Sequence, residues 1–156
     1  MKRLIVLAVL ALAVGFGSLV SAGDRYSKQK VVYHVNYYGA KPQAGALRNI
    51  QNHINAVGAE NLDLKVVMHG NGVSLVMDPD YLEGTKMKEA NADADMQARI
   101  AGLKEQGVQF NICANTLKGR KIPMDALYDT KEADIVPSGV AELAHLQYEG
   151  YTYIKP

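Results

Sequence analysis

The sequence predicts an α/β layered domain with a mainly parallel sheet of about five strands, on three observations. Stretches with a hydrophobic period of two alternate with stretches of period three to four from Lys30 onward. The intervals between strands are long enough for crossover helices, which parallel pairing requires and a hairpin does not. Finally, 156 residues suit one domain that buries roughly two thirds of its unfolded surface, with no internal repeat and no disulfide framework.

Residues 1–22 stand apart from this domain. Lys2-Arg3 precedes an almost unbroken apolar run, Leu4 to Val14, and Val20-Ser21-Ala22 offers small residues ahead of Gly23. That is the pattern of a secretory signal peptide. The apolar run is short for a membrane span and is interrupted by Gly15 and Gly17. Export and cleavage are expected, leaving a domain over residues 23–156; an uncleaved anchor is the alternative. Cleavage removes Lys2 and Arg3 and no acidic residue, so 15 of the 17 basic residues remain against 16 acidic ones. A near-neutral chain lacks the massed Lys and Arg that bind phosphate backbones or anionic lipid. Nucleic acid, and membrane after cleavage, are therefore excluded as partners.

Lys30 to Asn36, rich in β-branched and aromatic residues, predicts the first strand. Tyr37 to Pro42 follows as a loop. Leu47, Ile50, Ile54 and Val57 recur at helical steps, giving an amphipathic helix from Gln43 that stops at Gly58. Leu62 to Met68 predicts the second strand, and His69-Gly70-Asn71-Gly72 a turn whose glycines allow positive φ or a close backbone approach. Val73 to Met77 is a brief apolar run, strand-like or a short helix, broken by Asp78-Pro79-Asp80; the stretch 81–89 carries no pattern. Asn91 or Asp93 caps a helix running through Met96, Ile100 and Leu103 to Gly107. Val108, Phe110 and Ile112 alternate with Gln109 and Asn111 in a third strand that ends at Cys113. Ile122 to Leu127 predicts a short helix with Pro123 early in it. Ala133 to Val136 reads as a short fourth strand, Val140 to Tyr148 as a helix stopped by Gly150, and Tyr151 to Ile154 as the last strand.

In open sheets of this kind, ligands and chemistry collect beyond the carboxyl ends of the strands. Asn36, His69 and Cys113 occupy those ends, so one edge of the molecule is the candidate site. Cys113 is the only thiol in the chain and cannot form an internal bridge. It is a buried small hydrophobe, a point of intermolecular pairing, or a nucleophile. Lys118, Arg120 and Lys121, with Gly119 to turn the backbone, are expected to bring cations near the sulfur and favour the thiolate, the nucleophilic form. His69 is a candidate base, acid or orienter for the thiol, or a turn histidine bonded to a carbonyl. Asn71, Asn111 and Asn115 are candidate donors to a sulfur anion or substrate oxyanion, and Arg120 a candidate anion stabiliser, though these residue types are also ordinary turn and surface chemistry.

Other chemistries find less support. His34, His53 and His145 are scattered without zinc-ligand spacing, and one cysteine cannot build a Cys-rich site, so no metal is expected. His-Gly-Asn-Gly is neither a dinucleotide fingerprint nor a P-loop. Neither Ser74 nor Ser138 sits in a Gly-x-Ser-x-Gly elbow. No cofactor is expected.

Three segments resemble a known family. His69-Gly70-Asn71-Gly72-Val73, the run from Cys113 through Asn115, Thr116, Leu117, Lys118 and Gly119 to Arg120, and the ending from Val136-Pro137-Ser138-Gly139 to Tyr151 are similar to the DsrE/DsrF-like sulfur-relay family, in particular its exported branch. The similarity runs from about Lys30 to Pro156. It implies a flavodoxin-like three-layer αβα sandwich that assembles as a homo-oligomer, a trimer or hexamer. It also implies a persulfide carried on the cysteine at this strand end, here Cys113, received from one partner and passed to another. The cytoplasmic members of the family act as relays, and export departs from them. The expectation is therefore a periplasmic protein handling sulfane sulfur, its partners being sulfur donor and acceptor proteins or low-molecular-weight thiols. The alternatives are a non-enzymatic small-ligand-binding or oligomeric assembly protein with a buried Cys113, and a thiol redox sensor.

Overall fold

The computed structural model describes residues 25–156; the expected signal peptide lies outside the described residues. Five strands, β1 (Gln29–Val35), β2 (Leu62–Met68), β3 (Gln109–Cys113), β4 (Ile135–Val136) and β5 (Thr152–Ile154), form one sheet in the order β4-β3-β2-β1-β5. Every pairing is parallel. The connections carry four helices, α1 (Ala40–Val57), α2 (Ala94–Glu105), α3 (Ala114–Arg120) and α4 (Gly139–Tyr148). This is the three-layer α/β type expected, consistent with a flavodoxin-like fold.

Winding explains where the layers fall. β1 to β4 step in one direction across the sheet; the chain then returns to place β5 on the far side of β1. Because crossovers between parallel strands are right-handed, reversing the direction puts α4 on the face opposite α1 and α2. Strand alternation sorts the side chains to match. Val31, Tyr33, Val35, Leu64, Val66, Met68, Phe110 and Ile112 form the main core with α1 and α2. Val32 and Val67 meet Leu143, Leu146 and Tyr151 on the other face. One helix cannot roof five strands, so polar side chains also stand there. Lys65, for example, donates to Gln109 at 2.5 Å between β2 and β3.

Several boundaries differ from the sequence reading. α1 starts at Ala40 rather than Gln43, since Pro42 falls in the first turn, where its missing N–H costs no hydrogen bond. Asp93 is the cap of α2, its carboxylate accepting from the Met96 amide at 2.9 Å. The segment after Cys113, expected to turn at Gly119, is helical as α3; the turn comes at Lys121, which adopts the left-handed conformation with φ 56°. The apolar run after Gly72 is a 3₁₀ helix over Gly70–Leu75, and the helix expected over 122–127 is a single 3₁₀ turn, Met124–Ala126. β4 keeps only Ile135 and Val136 of its four expected residues.

Candidate functional site

Sheet register alone brings the strand-end residues together. Val35 pairs with Met68 and Met68 with Ile112, so the residues one step further, Asn36, His69 and Cys113, are lateral neighbours on one face. The His69 amide donates to the Val35 carbonyl at 3.4 Å and continues the ladder past β2. Adjacent strands lie about 4.8 Å apart, so His69 and Cys113 are within side-chain reach of one another. Gly139, the first residue of α4, seats on both: a Cβ there would lie 2.9 Å from the His69 Cβ and 3.2 Å from the Cys113 Cβ. Only glycine lets α4 begin so close to the sheet.

The approach to the edge depends on the turn after β2. Gly70 takes φ 55°, and a Cβ on Gly72 would lie 2.0 Å from the Val35 carbonyl oxygen, so the two glycines serve the two separate purposes expected of them. A buried polar network fixes the turn from below. Gln43 donates to the Tyr37 carbonyl at 2.7 Å and to the Ser74 hydroxyl at 2.9 Å, while the Asn91 side-chain Nδ2 donates to the Gln43 side-chain Oε1 at 2.8 Å. From above, the Gly70 amide donates to the Thr116 hydroxyl at 2.8 Å, tying the turn to α3.

Cys113 is 5 % exposed and lies at the N-cap of α3. Burial pushes its thiol up, but hydrogen bonding from the Gly139 amide, the Thr116 hydroxyl and the Thr116 and Asn115 amides outweighs it, leaving the thiol below its ordinary value. The donors come from the first turns of two helices, α4 and α3, whose unpaired N–H groups favour an anion. This corrects the cationic account. The Arg120 guanidinium donates to the Asn71 side-chain oxygen at 3.1 Å and to the Lys86 carbonyl at 3.1 Å, bracing the turn, while Lys118 and Lys121 are exposed. The same geometry places the other candidates. Asn71 supports Arg120; Asn115 contributes its amide while its side chain is exposed; Asn111, two residues before Cys113 on the same face, keeps a buried side-chain oxygen without a hydrogen-bond partner.

His69 is part of a chain that the sequence did not reveal. Its Nε2 lies 2.8 Å from the His34 Nε2, and the His34 Nδ1 lies 2.7 Å from the Tyr153 hydroxyl. The imidazole rings stack at 4.8 Å between centroids. Burial lowers both histidines, His34 to about 4, with His69 and Lys155 adding to the effect on His34 and Lys155 to that on His69. Lys155 itself donates to Asn36 at 2.6 Å. Among the described residues no group of three or more His, Cys, Asp or Glu side chains is placed to hold a metal ion. A cleft of 320 Å³ lies between α1 and α2, on the far side of the sheet from the thiol, lined in part by Arg48, Gln51, Asn52 and Arg99.

Fold and edge define a class: a doubly wound α/β protein with one cysteine seated at a strand end between two helix starts. Within that class the sequence profile of the DsrE/DsrF-like family matches residues 30–156, and the chain belongs to this family. Among solved structures, MTH1491, a protein of unknown function from Methanobacterium thermoautotrophicum, is 25% identical with a TM-score of 0.65, over 82% of this chain and 99% of its own. The ychN protein from E. coli has the same fold at 21% identity and a TM-score of 0.56, over 84% of this chain and 100% of its own. No curated protein matches the chain.

Proposed function

We propose that this protein handles sulfane sulfur in the periplasm, with Cys113 as its persulfide carrier. The observation that carries the reading is the convergence of three backbone amides and the Thr116 hydroxyl on one sulfur, which lowers its pKa despite burial. Membership of the DsrE/DsrF-like family supports a role of the sulfur-relay type. The leader-like residues 1–22 support export. Exposed Val140 and Tyr148 on α4, at 65% and 88%, support a homo-oligomer, a trimer or hexamer, assembled through the helix that seats on the thiol.

The chemistry needs only the residues present. The Cys113 thiolate attacks the outer sulfur of a donor persulfide R–S–S⁻. The donor S–S bond breaks, its electron pair leaves with R–S⁻, and the sulfur remains as Cys113–S–S⁻. The amides of two helix starts hold this anion as they held the thiolate. An acceptor thiolate then takes the outer sulfur by the same displacement and restores Cys113. Donor and acceptor are other proteins or low-molecular-weight thiols.

Loading the protein with inorganic polysulfide, removing the excess and adding a thiol acceptor tests the reading. It predicts return of bound sulfur to the acceptor in proportion to protein, and none from Cys113→Ser. The low exposure of Cys113 favours a second reading, an assembly or small-ligand-binding protein in which the thiol is structural. In that case Cys113→Ser leaves assembly intact and neither protein returns sulfur.

A further inference from the structure

We infer that the cleft between α1 and α2 is a second site, which binds a small organic monoanion, a carboxylate on a compact apolar body, independently of Cys113. It lies across the sheet from the thiol and measures 320 Å³, a size that suits a small molecule. Leu47 on α1 and Leu103 on α2, both buried, give it apolar lining. Gln51 and Gln106 exchange two side-chain hydrogen bonds of 2.9 Å between the helices, so the width of the cleft is set by the protein itself.

The charges there favour an anion. Arg48 and Arg99 line the cleft together with the Asn52 side chain, and no carboxylate lines it. α1 carries no acidic residue along its length, and among the described residues Arg48 makes no ion pair. Arg99 is oriented by Asp95, one turn earlier on α2, whose carboxylate accepts from the Arg99 Nε at 2.8 Å. That contact engages Nε and leaves the terminal nitrogens as donors for a ligand. Two guanidinium charges less the Asp95 carboxylate leave one net positive charge, which matches a monoanion better than a phosphate or sulfate dianion. A planar carboxylate also fits the guanidinium fork in bidentate fashion.

Gly102 supplies an independent observation. Glycine is disfavoured inside a helix, and a Cβ at Gly102 would meet no neighbouring atom within 4 Å, so packing in the protein does not demand glycine there. Its effect falls on the cleft, which it lines one turn from Arg99. What the missing side chain provides is room for the body of the ligand beside Leu103.

A ligand-observed NMR titration of the native protein with benzoate tests this, with benzyl alcohol as the uncharged body and inorganic sulfate as the anion without one. Saturable benzoate binding at millimolar concentrations is expected, with none for benzyl alcohol and no displacement of benzoate by an equal concentration of sulfate. Arg48→Gln and Arg99→Gln should each weaken benzoate binding about tenfold, the loss of a charge-assisted hydrogen bond. The Asp95 pair that Arg99→Gln also removes is an exposed one of little consequence for folding. Gly102→Leu should abolish binding in a folded protein, because its Cβ has room and leucine is the better helix former. Cys113→Ser should bind benzoate as the native protein does, so this site stands or falls apart from the sulfur-carrier reading. Light scattering on the cleft variants reads the other occupant: a changed oligomeric state in any of them would make the cleft a contact between copies of this chain and overturn the ligand proposal. It is equally overturned if benzoate does not bind, if benzyl alcohol or sulfate serves as well, or if either folded arginine variant binds benzoate like the native protein.

Discussion

The backbone amide of Gly139 hydrogen-bonds the Cys113 sulfur, and the residues sit so close that a Cβ on Gly139 would come within 3.2 Å of the Cys113 Cβ. α4 therefore both covers part of this face of the sheet and supplies one of the donors that lower the thiol. Gly139→Ala must lift the helix start away from His69 and Cys113. The expected cost is about 1–3 kcal/mol in denaturant unfolding, with alkylation of Cys113 at neutral pH slowed several-fold.

The lowered thiol pKa is also a statement about stability. Between the folded value and the ordinary value of 9.0, the unfolded state binds more protons than the folded state, so stability rises with pH. The contribution is fully present above about pH 9 and is lost as pH falls through the folded value. Cys113→Ser should remove this slope, which chemical denaturation at several alkaline pH values measures directly.

His34 produces a separate acid limb. Its folded value of about 4 lies below the ordinary 6.5, so the unfolded chain again binds more protons between those limits. Stability should be full above pH 6.5 and fall toward pH 4, by at most about 3 kcal/mol from this group and less with solvent screening of the ring. His34→Gln should flatten that limb in thermal or denaturant unfolding, leaving the alkaline limb set by Cys113 in place.

Gln43 has no exposed surface and joins α1, the Tyr37 carbonyl, Ser74 and Asn91 in one network. Gln43→Ala leaves a cavity and removes the hydrogen bonds to the Tyr37 carbonyl and the Ser74 hydroxyl, at an expected cost of about 2–4 kcal/mol. Because Ser74 belongs to the turn that carries His69, hydrogen exchange should quicken over residues 69–75 as well as in α1.

Much of this arrangement was legible in the sequence. β2 was read at its observed bounds, and the period of Leu47, Ile50, Ile54 and Val57 marks the buried stripe of α1. Asn36, His69 and Cys113 were expected on one edge because parallel strands share a direction, and the register puts them side by side. The cationic thiol was misread because α3 offers only Thr116 and Leu117 as buried residues, too few to show a helical period beside Gly119. Once that segment is helical, its amides turn toward the sulfur and Arg120 goes to Asn71. His34 reads in the sequence only as one of several scattered histidines and Tyr153 only as part of the last strand, since what brings them together is β5 docking on β1, a pairing between segments more than a hundred residues apart. No local pattern encodes that contact.

The central claim concerns one atom, and intact-protein mass spectrometry of the native chain after polysulfide treatment tests it most directly, with iodoacetamide labelling as a parallel measure of access. The account predicts a gain of one sulfur atom localised to Cys113, removed by reductant and absent from Cys113→Ser. A native protein that is readily alkylated at Cys113 yet gains no sulfur would contradict it.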